Sequence, residues 1–489
     1  MQYQTAHHAP LEQPVSLTRE ALRSLEWLAL GLILVAALAV RLYNLGSFPD
    51  TLLADEADNA QDSLRILYGQ PPANGFFGVD WTSQPAFSIY KGAAFISLFG
   101  FTMTAIRLPS ALISALALLP FYLLLRRQFS LTASLLAAVL LGTSVWYLNF
   151  SRSGWNIVDL CFFMPMALLF LMRGLDSLAP ETPPRRRGVD FVASGFFCAL
   201  ALYGYPAGRA VVVALGLYLP LALYFYRTQV RQVLLGHVVI AAVTALLFAP
   251  QALYALRNWE HFNGRTGVVF LLNNPEFQAD PRGTLMHQLS WNLRGPWDGR
   301  VNNTPQYSPA GEPQLDRLSG VLVLAGILMT MALPRLRSQP ETWLWWLMLL
   351  SIWFFTQILT ANTPNGARGL AYLPALYYFA AAGLDGILRL AHYTFERLSL
   401  SPAWGSVLKN TAVFLLAVLV AAGGYANLTH YAAWQMNPQT RQARYLYVTA
   451  REFPDWAAAI ENLAKTGGGK MNVGQWREMH PIPDIANPH

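Results

Sequence analysis

The chain has 489 residues, of which 54% are hydrophobic and only 12% charged. Average soluble domains carry roughly 25% charged residues, so this composition cannot clothe a water-facing surface and excludes a large soluble protein. The net charge of +7 comes almost wholly from arginine, since the lysines are Lys91, Lys409, Lys465 and Lys470. Many arginines sit in short connections between apolar blocks, where membrane topology accounts for them, so no nucleic-acid partner is expected. Cys161 and Cys198 both lie inside apolar blocks and mark neither a disulfide framework nor a zinc site.

In chain order, apolar blocks fall near 26–45, 105–125, 131–149, 156–173, 190–204, 209–226, 233–254, 317–333, 341–360, 368–388 and 410–427. These blocks predict an all-α, multi-pass integral membrane protein with about eleven transmembrane helices. The first reads as a retained signal-anchor, because many spans follow and no small-residue cleavage site is evident. Basic pairs and triplets at Arg126-Arg127, Arg185-Arg186-Arg187, Arg227 with Arg231, Arg335 with Arg337, and Arg389 with Arg397 separate alternate blocks. The positive-inside tendency places them in the cytoplasm. Residues 1–25 are then cytoplasmic, 26–427 form the polytopic domain, and 428–489 are a short extracytoplasmic tail with one helix over 454–465.

The outer face carries the loops 46–104 and 257–316. Block 85–99 breaks the parity of the basic loops, is short, and is interrupted by Lys91; it is expected as an interfacial helix on the outer face. The 257–316 loop is too long to lack structure of its own unless it is functional.

Within the first outer loop the spacing predicts an amphipathic helix from Asp55 to the Gly69 stop. Ala57, Ala60, Leu64 and Leu67 recur on one face; Asp55, Asp58, Asn59 and Asp62 recur on another. Such a helix can lie on the membrane surface with its carboxylates toward a wet cavity. Asp55 reads either as a helix cap or as a catalytic carboxylate. A calcium site from Asp55, Asp58 and Asp62 lacks the oxygen-rich loop and turn glycine that calcium needs. Asp55 and Glu56, being adjacent, diverge by about a quarter-turn and do not make a close acid–base pair.

Three further outer segments carry Arg152 with Asn156 and Asp159, then Tyr205-Pro206 with Gly208-Arg209, then Asn365-Gly366-Ala367-Arg368. One such arginine can simply snorkel to lipid phosphates. Several at outer span ends run against the inside bias, and together they fit an anionic ligand. Asp159, within the first turn of its span, is either a site residue or the partner of Arg152. No P-loop, dinucleotide turn or His-Glu-x-x-His zinc motif is present.

A first span ending in Arg41-Leu42, then Gly46-Ser47-Phe48-Pro49, Asp55-Glu56-Ala57 and a helix closed by Gly69 resembles the opening of the polytopic GT-C-fold glycosyltransferases. Ile106-Arg107-Leu108-Pro109, Phe150-Ser151-Arg152, Tyr205-Pro206 with Gly208-Arg209, and Arg368 with Leu373-Pro374 extend the likeness to about residue 385. The chain is similar to protein O-mannosyltransferases and the lipid A aminoarabinose transferase. That resemblance implies a polyprenyl-phosphate sugar donor, an acceptor hydroxyl on the extracytoplasmic side, and Asp55 as general base. The mannosyltransferases carry a His-Pro-Pro-type motif before the outer helix, where this chain has Thr82-Ser83-Gln84-Pro85.

The expected reaction is a single inverting displacement. Asp55 and Glu56 are the catalytic candidates; Arg152, Arg209, Arg368 and Tyr205 are those for the donor phosphate, supported by Asp58, Asp159 and Lys91. A monophosphate held by arginines needs no bridging metal, so no metal or cofactor is expected. The competing class is a transporter or flippase of an anionic lipid-linked glycan. No internal repeat or paired interrupted helix of that class is visible, and the polar groups gather at one face.

Overall fold

A computed structural model describes residues 19–80, 83–178, 184–301, 306–397, 402–438, 440 and 446–481. Of the expected cytoplasmic N-terminus, residues 1–18 lie outside the described residues, as do Trp81 and Thr82 before the outer helix.

The chain is helical almost throughout. Helix α1 (Arg19–Leu42) leads through a short strand β1 (Thr51–Leu53) into α2 (Ala54–Leu67) and α3 (Phe87–Phe99). Then follow α4 (Met103–Leu116), α5 (Leu118–Leu125), α6 (Leu131–Thr143), α7 (Val145–Ser151), α8 (Leu160–Asp176), α9 (Pro184–Gly204), α10 (Gly208–Phe225) and α11 (Val230–Arg257). The 257–316 loop folds on itself as α12 (Trp259–Val269), α13 (Pro275–Ala279) and α14 (Pro281–Arg294). The last part is α15 (Arg317–Ala332), α16 (Pro334–Arg337), α17 (Pro340–Trp353), α18 (Gly366–Gly369), α19 (Leu373–Arg397) and α20 (Pro402–Met436). A second strand, β2 (Tyr447–Thr449), then precedes α21 (Phe453–Thr466) and α22 (Val473–Met479).

Among the described residues seven helices are long and apolar enough to cross a membrane, or eight if the bent pair α6 and α7 is one span. The remaining expected spans are helices too, but their apolar stretches are shorter. Helix α15 has 16 residues, and α17 gives way after Trp353 to a π-helical turn, Phe354–Ile358. Full length therefore holds for fewer helices than the apolar blocks suggest. Helix α3 has 13 residues, about 20 Å at 1.5 Å per residue, which falls well short of a hydrocarbon core of about 30 Å.

The core is a bundle in which α19 is buried on nearly every side between α15, α6 and α17. Gly326 and Gly383 let α15 and α19 approach backbone to backbone, since a Cβ at either position would collide with the other helix's carbonyls.

Helix α2 does not begin with an Asp55 cap. Leu53, extended at the end of β1, holds the cap position, and its N–H donates to the Glu56 carboxylate at 3.4 Å. Gly69 then adopts the left-handed conformation that closes the helix, at φ +76°. The tail folds back over this element: β1 and β2 pair antiparallel, Thr51 opposite Thr449 and Leu53 opposite Tyr447.

Candidate active site

Where α2, the start of α10, the folded 257–316 loop and the Asn365–Arg368 turn meet, they enclose a cavity of about 820 Å³. Asp55, Tyr205, Arg209, Arg265, Tyr307 and Arg368 line it, interleaved with apolar side chains such as Val213, Val268, Phe355 and Leu359. The cavity is thus lined by both apolar and cationic side chains.

Asp55 occupies the second position of α2 and is largely withdrawn from water. Burial pushes its carboxyl above the ordinary aspartate range, and the Arg265 guanidinium opposes that rise. A carboxylate desolvated in this way is a stronger base than one in water. Tyr205 senses the charges of Arg368, Asp55 and Arg265, and Tyr307 those of Asp55 and Arg368, so these groups form one electrostatic neighbourhood. Burial raises both phenols, which keeps them protonated and able to donate.

Two of the three arginines are held from behind. Arg368 donates Nη1 to the Ala361 carbonyl at 2.8 Å, and its backbone N–H donates to Asn365 Oδ1 at 3.0 Å. Asn365 is clasped in turn by the buried Gln357, which accepts from its N–H at 2.9 Å and donates to its carbonyl at 3.1 Å. Arg209 lies 4.7 Å over the Phe262 ring and donates to Thr266 Oγ1 at 3.5 Å. Arg265 projects from α12. No carboxylate among the described residues forms an ion pair with Arg209, Arg265 or Arg368. Three guanidinium groups facing one partly apolar cavity, against the single carboxylate of Asp55 in its described lining, suit an anion such as a phosphate ester carrying an oily chain.

Other residues expected at the site lie elsewhere. Arg152 is 3% exposed and spends its guanidinium on four carbonyls at the end of α1 and the turn beyond it. Nη1 donates to Val40 and Arg41, and Nη2 donates to Tyr43 at 2.8 Å and Phe48 at 2.7 Å. It caps a helix C-terminus, where the last carbonyls lack intrahelical donors, and it does not line the cavity. Glu56, 2% exposed, accepts from Arg107 Nε and from the Gly154 N–H, each at 2.8 Å. Arg107 also donates to the carbonyls of Leu45, Pro49 and Thr51. This pair, on Oε1, bolts the 46–104 loop to α4, while Oε2 accepts from the Leu53 N–H, and the Glu56 side chain is absent from the cavity lining.

Asp159 pairs with Lys91, not Arg152: Nζ lies 2.6 and 2.5 Å from its two oxygens and ties α3 to the turn before α8. Asp58 sits one turn along α2 from Asp55. Burial and the Asp55 charge push it up to about 7, against the pull of Lys470. Among the described residues no three His, Cys, Asp or Glu side chains stand together as metal ligands.

Sequence reasoning missed Arg265 and Tyr307, which lie in the 257–316 loop where no periodicity announces a role. It also missed Lys470 beside the α2 carboxylates. An arginine in an outer loop, away from any basic inside cluster, was the available signal for Arg265.

Residues 83–254 match the family model described as dolichyl-phosphate-mannose-protein mannosyltransferase. No curated protein sequence matches the chain. Among solved structures, the chain is similar to ArnT from Cupriavidus metallidurans bound to undecaprenyl phosphate. The TM-score is 0.51 at 16% identity, over 92% of this chain and 78% of that one. The apo state of the same enzyme gives 0.54 at 15%, over 95% and 90%. The archaeal oligosaccharyltransferase AglB from Archaeoglobus fulgidus gives 0.54 at 16%, over 82% of this chain but only 56% of AglB. Identities this low speak for the fold. The chain has the GT-C fold of these membrane glycosyltransferases, and residues 83–254 carry a likeness to the mannosyltransferase family model.

Proposed function

We propose that the chain transfers a sugar from a polyprenyl-phosphate donor to an acceptor hydroxyl on the extracytoplasmic face, with inversion at the anomeric carbon. The observation that carries this reading is the meeting of Asp55 with Arg209, Arg265 and Arg368 in one half-apolar cavity. The acceptor oxygen attacks the anomeric carbon and gives its proton to Asp55. The bond from that carbon to the donor phosphate oxygen breaks, and the electron pair leaves on the polyprenyl phosphate, whose added negative charge the arginines and the Tyr205 hydroxyl stabilise.

A positioned base contributes roughly 10²–10⁴-fold, so charge stabilisation on the leaving phosphate by fixed cations must supply much of the remainder. Three guanidinium groups answer that need without a bridging cation. The apolar wall at Val213, Val268, Phe355 and Leu359 gives a lipid chain somewhere to lie. The short α3 would rest at the outer interface, with the 257–316 loop and the tail facing the acceptor.

Charge placement supports the side assignment. Helix pair α4–α5 starts beside the site at Arg107 and ends at Arg126 and Arg127. Helix α8 starts beside Asp159 and ends at Arg173 and Asp176. The basic end at Arg126 and Arg127 lies away from the cavity lining, as the positive-inside tendency expects of a cavity on the outside.

The test is a proteoliposome assay with a radiolabelled polyprenyl-phosphate sugar. Release of polyprenyl phosphate with label on a new acceptor is the expected outcome. Label that only changes leaflet would make the protein a flippase and overturn the reading.

A further inference from the structure

The residue preceding the proposed base is tied down from the far end of the chain. The Ala54 N–H donates to the Leu446 carbonyl at 3.1 Å, and the Ala450 N–H returns to the Asp50 carbonyl at 2.6 Å. Between these bonds β1 and β2 pair residue for residue, so the segment leading into Asp55 is one half of a two-stranded ladder. The ladder continues as packing. Ala57, Ala60 and Leu64 of α2 bury themselves with Val448, Trp456 and Ile460 of the tail, in a small core that also takes in Ile96 of α3 and Met103 and Ile106 at the start of α4.

Polar contacts extend the grip along α2. Arg65 Nη1 donates to the Gly468 carbonyl at 3.2 Å, Tyr68 donates to Glu461 at 2.6 Å, and Gln70 donates to the Ala464 carbonyl at 2.5 Å. Lys470 forms an ion pair with Asp62 on the carboxylate-bearing face, and its charge is also felt by Asp58 and Asp80. The arginines of the cavity stand on other elements: α10, α12 and α18. Base and phosphate clamp are therefore held by different parts of the molecule.

We infer that residues 446–481 are a positioning clip for the transfer reaction: strand β2 and Lys470 set where the carboxylate of Asp55 stands, while donor binding is left to the arginines. The inference rests on the proposed transferase reading. It makes Lys470 and the β2 backbone positioning elements, acting on the reaction only through α2. A displacement of about 1 Å in a reacting group can cost 10²-fold in rate, so loosening this clip acts on turnover before it acts on affinity.

The experiment uses the full chain in proteoliposomes with a labelled polyprenyl-phosphate sugar, reading kcat and donor KM separately. Val448→Pro, which breaks the ladder, should lower kcat by on the order of 10²-fold with donor KM unchanged. Lys470→Met should lower kcat less, Lys470→Arg should restore it, and Asp455→Asn on the exposed side of the same clip should match the parent. If Val448→Pro does not fold, the Lys470→Met and Lys470→Arg pair decides alone. A parent-like kcat in Lys470→Met, or kcat and donor KM failing together, overturns the inference. Absence of transfer by the parent chain would instead remove the underlying reading.

Discussion

Glu56 and Arg107 form an ion pair of 2.8 Å with both side chains almost wholly out of solvent. It lies one residue from Asp55, on the same helix, yet it serves a different purpose. Glu56→Ala would strand a buried guanidinium, and breaking such a pair costs about 3–5 kcal/mol. Thermal unfolding in detergent should show a large loss of stability for Glu56→Ala. A parent-like melting temperature would show the pair to be dispensable.

Asp55→Asn keeps shape and removes the proposed base. The variant should fold with an unchanged melting temperature, still bind polyprenyl phosphate, and lose roughly 10²–10⁴-fold in kcat. Turnover near the parent rate would remove Asp55 from its role.

The raised Asp55 carboxyl has a consequence for pH. The base acts only when ionised, so the rate is lost as pH falls through its pKa, which burial holds above the ordinary aspartate range. Arg265 opposes the rise, so Arg265→Gln should move the acidic limb of the rate profile to higher pH. A limb that stays put or moves down would show that Arg265 does not act on Asp55.

Arg368 and Arg152 should part company. Hydrogen bonds to charged groups are worth about 1.5–3 kcal/mol, so Arg368→Ala should weaken polyprenyl-phosphate binding by about tenfold to a hundredfold. Arg152→Ala should leave that affinity alone and lower stability instead, because it uncovers the last carbonyls of α1. Titration of polyprenyl phosphate against each variant, beside a melting curve, separates the two.

Much of this protein is written locally in its sequence. Apolar blocks long enough to cross a bilayer, broken by basic turns, made a many-helix membrane protein unavoidable. The acidic helix 54–67 was legible because its pattern repeats within a single turn. Arg209 and Arg368 stood out because an arginine at an outer span end is unusual against the charge bias.

What tertiary structure decided is the destination of each charge. Arg152 and Arg368 look alike in sequence, but one finds the carbonyls at the end of α1 and the other the lining of the half-apolar cavity. Glu56 and Asp55 are neighbours, yet the helical turn between them sends one to Arg107 and the other to the cavity wall. The full length of some spans, the arrival of Arg265 from a loop without periodicity, and the return of the tail to β1 all depend on contacts between distant segments. A residue's type states which partners would satisfy it, and only the folded chain determines which of them comes within reach.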